Sequence, residues 1–481
     1  MSKKTIYLHA GFHKTGTSTI QEVLFTHQKE LASTGEGYFY SPTLERNHSI
    51  PLYSMFCAHP EKYRMNIKKG RNTRPQVDAY ITKVEKQITK ELRATACRHI
   101  LFSGEDISRL DEPNLEALKA FFRQVLPDAD IRILLCTREP GSLAASLHQE
   151  AIKSGDIVSR NALFKQFRTF FRSNIGKFFQ VFGRSHVHVY TFEDACEHRL
   201  GLMGAFLSNL GIAETAIAPL ISKTEQQTNV SVSHEVVGML EYINTCLPLI
   251  EKGTISTGRS RRDTQPLESI RGEKFQFAPP QVRRIENISK EDRDWLKREL
   301  GIQYTAPKST LNTSQLYDTP FCTDLLAAFP ECSQVIRFLV VRYLTTLLQQ
   351  KKWSPPRRNR LRQLKRQIQQ TYPESAQGNG IDEQLKTRIE NRAVPGFRYM
   401  EQFLENVGDL SAVAPGTFYR ELALLCKAHR RDSAALYFMR QAKRFIPSGP
   451  FIQQKITEWS KQGKSIKRNA APNTKQRGKT E

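Results

Sequence analysis

The chain has 481 residues, more than one hydrophobic core usually holds, and at ~150 residues per domain it is expected to divide into two or three units. Its 39% hydrophobic and 25% charged residues fit a soluble globular protein with some solvated extensions, and the most apolar later stretch, 335–348, is broken by Arg337 and Arg342, which excludes a membrane span there. A net charge of +24 favours anionic partners (nucleotides, acidic glycans, nucleic acid or anionic lipid) without choosing among them.

Residues 6–10 form an apolar run that ends in Gly11-Phe12-His13-Lys14-Thr15-Gly16-Thr17-Ser18, and a helix-like pattern (Ile20, Val23, Leu24) follows. That order predicts strand, glycine-bracketed loop, helix. The loop's backbone N–H groups and the positive end of the helix dipole then converge on one point, which suits a multiply charged phosphate. Gly11 and Gly16 keep the spacing of the triphosphatase loop G-x-x-x-x-G-K-[ST], but position 17, where that motif requires Lys, is Thr. The lysine stands at Lys14, inside the loop. In a triphosphatase the lysine after the second Gly reaches the β- and γ-phosphates and the next hydroxyl holds Mg²⁺. A lysine moved upstream suits a different leaving group.

The stretch from Gly11 to Ser18 resembles the 5′-phosphosulfate loop of the sulfotransferases that use 3′-phosphoadenylyl sulfate (PAPS). The resemblance implies that Lys14 contacts the oxygen between phosphorus and sulfur. It implies also that Gly11, His13, Thr15, Gly16, Thr17 and Ser18 line the donor's 5′-phosphate, with PAPS as cosubstrate and no metal. His13 is expected to pack rather than titrate.

Further along, residues 35–40 look like a short strand, residues 61–74 like a basic surface segment, and residues 78–97 like an exposed amphipathic helix. Residues 99–103 read as a second buried strand, which delivers Gly104-Glu105-Asp106 to its carboxyl end. A helix at 114–126 leads to a third strand at 131–137. That strand ends in Arg138-Glu139-Pro140-Gly141-Ser142, ahead of a helix at 143–152 in which Pro140 suits the first turn. A fourth strand at 186–190 precedes a helix at 199–210. The alternation predicts an α/β fold, a parallel sheet with helices on both faces, whose ligands sit beyond the carboxyl ends of the strands.

Arg138 and Ser146, eight residues apart and about two helical turns, are able to reach one phosphate held over the strand ends. In the sulfotransferases an Arg and a Ser at this spacing grip the 3′-phosphate; the alternative is an Arg paired with Glu139 or a carbonyl. For the catalytic base there are two candidates. Glu105 ends a buried strand on the side of Lys14, and family members often use a Glu from about this place. His48 is the other, since further branches use a His. The structural alternatives are a Glu105–Arg109 pair and a surface histidine. Asn229-Val230-Ser231-Val232-Ser233, ahead of a helix at 235–246 with Ile243-Asn244, is similar to a segment of bacterial-type members, and Ser233 is expected to cap that helix. Residues 252–275 read as a basic loop or lid, and an amphipathic stretch at 282–300, of which 292–300 resembles the family's last helix, closes a first domain of residues 1–310.

Residues 311–462 carry helical periodicity and little strand. The Lys/Arg cluster at 351–366 reads as a solvated helix face, and nucleic acid is not expected as a partner. Residues 414–447 resemble one tetratricopeptide unit, with Tyr419, Leu422-Ala423, Ala435, Met439, Ala442 and Pro447 on the motif's spacing and Cys426 as a departure. Such a unit must stack on neighbouring helices, here 396–407 and 450–460, and suggests a protein partner. A basic tail, 463–481, is expected to be disordered. The eight cysteines are scattered, without C-x-x-C, and read as reduced core residues. With an apolar strand following Met1-Ser2-Lys3-Lys4 directly, a signal peptide is not expected and a cytoplasmic location is. Together these features imply a PAPS-dependent sulfotransferase acting on a hydroxyl of a carbohydrate or glycan precursor. The rivals are a P-loop kinase or triphosphatase, and a binding scaffold with a basic helical interaction domain.

Overall fold

The computed structural model describes residues 3–222, 231–251, 254–255, 258–305, 316–350, 353–392, 414–428 and 432–468. Five strands form one wholly parallel sheet: β1 (Thr5–His9), β2 (Tyr38–Tyr40), β3 (His99–Ser103), β4 (Asp130–Thr137) and β5 (Val187–Thr191). Their spatial order is β2-β3-β1-β4-β5. β1 pairs on both edges, Thr5 standing opposite His99 on one side and Asp130 on the other. All five of its residues are buried, as a central parallel strand requires when helices cover both faces.

The helices of this part include α1 (Thr17–Thr26), α2 (Ser49–Phe56), α3 (Arg74–Ala94), α4 (Glu112–Val125), α5 (Pro140–Lys153), α6 (Phe170–Phe182), α7 (Phe192–Glu197) and α8 (Gly201–Asn209). The local chemistry of α4 shows how they form. Asp111 accepts the Asn114 N–H as N-cap, Pro113 sits in the first turn, and Leu115, Leu118, Phe122 and Val125 recur every three or four residues as its buried stripe. On one face of the sheet Tyr7, Leu101 and Leu134 pack with Ile20, Val23 and Leu24 of α1 and with Phe206 and Leu207 of α8. After β3 the chain crosses β1 to lay down β4 and β5, so the winding reverses beside β1, the place where open α/β sheets receive ligands.

The chain groups into two compact units. The first comprises Met1–Ala151, Val158–His234 and Glu273–Leu316; the second comprises Ile152–Ile157, Glu235–Gly272 and Tyr317–Glu481. The expected boundary at residue 310 had left residues 235–272 with the sheet, whereas they belong to the helical unit. In the first unit, the amphipathic stretch 282–300 falls on two helices, Pro279–Ile288 and Lys290–Leu300, parted at Ser289, the second containing the segment 292–300 expected as a helix of its own. The break lets Asp292 reach α6. Its buried carboxylate accepts the N–H groups of Phe171 (2.7 Å) and Arg172 (2.8 Å), at a helix start whose own N-cap, Thr169, supplies no side-chain bond.

Ser233 does not cap the helix that follows it. Its hydroxyl is buried without a partner among the described residues, and its backbone forms an isolated antiparallel bridge with Lys274. That helix is α9 (His234–Cys246), and α10 is Lys290–Leu300. Asn229 and the helix expected at 396–407 lie outside the described residues, as do 252–253 and 256–257 of the basic loop.

In the second unit, Asn244 of α9 donates to the carbonyls of Ile152 (2.8 Å) and Asp156 (3.0 Å), while its side-chain oxygen accepts from Arg259 (2.6 Å). Arg259, in the segment read as a basic loop or lid, is only 4% exposed; it also donates to the Leu247 carbonyl, and burial pushes its pKa down to about 10. The remaining helices include α11 (Thr319–Ala328), α12 (Gln334–Gln349), α13 (Pro355–Thr371), α14 (Pro415–Ala428), α15 (Asp432–Phe445) and α16 (Pro450–Arg468). The last three pack in sequence around Ala423, Ala435, Met439, Ala442, Ile452 and Trp459, with the Tyr419 ring stacked on Phe438 and Phe445. Helix α16 runs into the expected tail as far as Arg468, and residues 469–481 lie outside the described residues. No described helix is long and apolar enough to cross a membrane, and no disulfide joins the eight cysteines.

Replacing Asp292 by Ala is expected to leave the buried Phe171 N–H and the partly buried Arg172 N–H unpaired at the start of α6. The expected cost is about 1–3 kcal/mol, read as a lower urea midpoint with an unchanged slope.

Candidate active site

Beyond β1 the backbone keeps following β4: the Ala10 N–H donates to the Leu134 carbonyl and the Phe12 N–H to the Cys136 carbonyl, each at 3.0 Å. The chain then turns away. Lys14 has φ +65° and Gly16 φ +81°, both in the left-handed region, which costs a residue with a Cβ roughly 1–2 kcal/mol. Thr15 is fully buried between them and donates its hydroxyl to the Phe12 carbonyl at 2.6 Å, so that side chain closes the loop on itself. Gly16 is the N-cap of α1, with no side chain bonded there, and Thr17 is buried while Ser18 is exposed. A Cβ on Gly16 would lie 2.1 Å from a terminal methyl carbon of Leu202, a flexible side chain that would have to turn aside, so it is the φ angle that favours glycine here.

From the end of β4, Arg138 reaches back to this loop. Its Nη1 donates to the Lys14 carbonyl at 2.7 Å and its Nε to the Ser142 hydroxyl at 3.0 Å, with the guanidinium 4.6 Å over the Phe192 ring. Burial pushes its pKa down, the Glu193 carboxylate opposing. Of the two structural alternatives read from sequence, the carbonyl is realised and the Glu139 pairing is not. Glu139 instead caps α5, its carboxylate accepting the N–H groups of Gly141 (2.9 Å) and Ser142 (2.6 Å). Nη2 of Arg138 has no bond among the described residues. Ser146 is half-buried on α5 and makes no bond to Arg138, which uses Ser142. Lys14 extends toward the same helix, Nζ 3.4 Å from Oε2 of Glu150, both half-exposed.

The end of β3 approaches the loop from the other side. Glu105 is partly buried, and its two oxygens accept from Gln21 Nε2 (2.9 Å) and Asn47 Nδ2 (3.2 Å). Arg109, a possible partner for Glu105, goes to Asp106 at 3.0 Å. Asp106 is the more densely bonded carboxylate. It receives Arg109, the Tyr63 hydroxyl and His13 Nε2 at 3.1 Å, while its own N–H donates to Ser49 Oγ. Burial would raise its pKa, but the hydrogen bonds from His13, Tyr63 and Arg109 outweigh burial and hold it at about 2. His13, expected to line the phosphate loop and to pack rather than titrate, is tied to a carboxylate.

His48 is not the surface histidine that its sequence context allows, nor a base open to an acceptor. It is fully buried, stacked on Tyr40 at 4.3 Å, with Nδ1 3.3 Å from the Ser103 N–H, and burial pushes its pKa down to about 3. The backbone of His48 and Ser49 passes against Gly104, where a Cβ would meet Ser49 N at 2.5 Å and the His48 carbonyl carbon at 2.9 Å. Sequence reasoning missed Tyr63, Gln21, Asn47 and Ser142. Tyr63 lay in a segment read as basic surface, and only Asp106, adjacent to Glu105, carried a signal. Among the described residues no group of three His, Cys, Asp or Glu could hold a metal ion. A cleft of about 700 Å³ in the second unit, bordered by Arg262, Arg271 and Asp324, contains none of the motif residues.

No protein-family model matches the chain, and no curated protein matches it. Among solved structures, a sulfotransferase from Alicyclobacillus acidocaldarius matches at 16% sequence identity, covering 60% of this chain and 97% of its own, with a TM-score of 0.29. The functional reading of the site comes from its residues.

Because the folded-state pKa of Asp106 lies below its unfolded value, its contribution to stability is full above about pH 5 and is lost as pH falls toward 2. Asp106→Asn is expected to lower stability by about 2 kcal/mol at pH 7, a gap that closes by about pH 2 in parallel denaturation series.

Proposed function

We propose that the protein is a PAPS-dependent sulfotransferase that moves a sulfuryl group to a hydroxyl of a carbohydrate or related acceptor. The observation that carries the reading is the 2.7 Å bond from the Arg138 guanidinium to the carbonyl of Lys14, which joins two anion-binding motifs far apart in the chain into one site. A nucleotide with phosphates at both its 3′ and 5′ positions fits a site of that kind.

The loop supports the fit. Gly16, Thr17 and Ser18 supply backbone donors at the start of α1, where no side chain caps the helix and a 5′-phosphate is favoured, and Gly11 opens the same loop. Thr15 contributes through its backbone, its hydroxyl being bonded within the loop. Arg138 has Nη2 left for a 3′-phosphate, and Ser146 lies farther along the same helix as Ser142. Lys14 carries the charge that neutralises the departing phosphate oxygen as the sulfur–oxygen bond breaks. Glu105, held by Gln21 and Asn47 beside the loop, is the base that the resemblance implies. The tetratricopeptide-like pair at 414–447 is read as a surface for a protein partner, and the exposed Tyr437 and Phe445 support that role.

Calorimetry separates this reading from its rivals. Adenosine 3′,5′-bisphosphate is expected to bind and ATP to bind little; equal affinity for both, or none for either, defeats it. Lys14→Ala is expected to lower PAPS turnover on the order of 10²-fold or more. Arg138→Ala is expected to weaken nucleotide binding roughly 10- to 100-fold, the loss of a hydrogen bond to a charged group.

A further inference from the structure

Glu105 is not the only group at the end of β3 built to meet a proton. Its two oxygens face amide donors, which orient the carboxylate and occupy it. The His13–Asp106 pair is arranged differently. The Asp106 side chain is 10% exposed and that of His13 is 39% exposed, so the pair has a buried end and an open end. Asp106 is ionised and hence acceptor-only, so His13 Nε2 carries the hydrogen of the 3.1 Å bond, and in the neutral imidazole the lone pair then falls on Nδ1. Nδ1 makes no hydrogen bond among the described residues. Arg109 and Tyr63, bonded to the same carboxylate, fix it from behind, and the Arg109 guanidinium is itself 5.1 Å over the Tyr53 ring.

We propose that His13, oriented by Asp106, is the group that takes the proton of the attacking hydroxyl. The inference rests on the sulfotransferase reading and names its base. In the step, the acceptor oxygen attacks the sulfur of PAPS and a new O–S bond forms. The bond between sulfur and the bridging phosphate oxygen breaks, its electron pair leaving with that oxygen beside Lys14. The acceptor's proton passes to Nδ1 of His13. Imidazolium and carboxylate then face each other across the existing hydrogen bond, the arrangement by which an orienting carboxylate fixes the tautomer of a catalytic histidine and stabilises its charged form. Putting base and leaving-group cation on adjacent residues, His13 and Lys14, ties both to the one loop that holds the donor. Asp106 is the positioning residue; it meets neither substrate.

The test uses the full chain, with PAPS cleavage in water and in glycerol solution as the reaction and adenosine 3′,5′-bisphosphate as the binding probe. His13→Ala is expected to bind the bisphosphate within about threefold of the unmodified protein while kcat falls on the order of 10²-fold or more, and added imidazole is expected to restore part of the loss. Should that variant fail to fold, His13→Gln serves for the kcat measurement. Asp106→Asn is expected to lower kcat with little change in KM and without imidazole rescue, and Glu105→Gln to stay sensitive to His13 loss in the double variant. A His13→Ala protein that keeps kcat within about threefold, or one that loses it with no response to imidazole, overturns the assignment. If the unmodified protein neither binds the bisphosphate nor cleaves PAPS, the sulfotransferase reading itself fails and the base falls with it.

Discussion

The site depends on a loop of seven residues being held from both sides in a backbone conformation that it would not keep alone. Lys14 sits in the left-handed region at a cost of roughly 1–2 kcal/mol, and a single turn closed by one Thr15 hydroxyl bond offsets about that much. The remaining restraint comes from the neighbouring strands. Arg138 grips the Lys14 carbonyl from the end of β4, and Asp106 holds the His13 ring from the end of β3. Since β1 lies between β3 and β4, the clamp follows from the strand order. A sheet wound without that reversal would not bring 13–14, 106 and 138 to one edge.

Much of this was legible in sequence because it is written in short-range patterns. Apolar runs of five to eight residues ending in Gly, Glu-Asp or Arg gave the strands and their carboxyl ends, and the glycine spacing gave the loop. Partner choice was not legible. Nothing in the sequence says that Arg138 bonds Ser142 rather than Ser146, that Arg109 passes over Glu105 for Asp106, or that Tyr63 in a basic stretch turns inward. These are outcomes of helix phase and of which carboxylate is dry. The His48 reading failed for the same reason: Asn-His-Ser looks like surface until the ring is seen stacked on Tyr40 beneath β3. Ser233, with the residue type of a helix cap, was drawn instead into a bridge with Lys274.

The helical unit teaches a complementary lesson about charge. A net +24 suggests basic faces turned to solvent, yet Arg259 is buried against the Asn244 amide and two further oxygens, and Arg357 lies almost fully buried 5.3 Å over the Trp353 ring. Some of the chain's positive charge is therefore spent on internal architecture, where guanidinium donors satisfy carbonyls that a helix end leaves open. Counting such residues as available to an anionic partner overstates the field outside. Asn244, read as an echo of a ligand segment, is in the same way an internal tie between α9 and the carbonyls of Ile152 and Asp156.

Position 16 combines a positive φ with a Leu202 methyl that any Cβ would meet at 2.1 Å. The two differ in kind: the methyl is the far end of a flexible side chain that turns aside, whereas the backbone angle is set by the path of the loop. Residue 14 already carries a side chain at positive φ, at a cost of roughly 1–2 kcal/mol. A lineage that gave up the glycine would therefore forfeit stability at this turn before it lost the course of the chain through it.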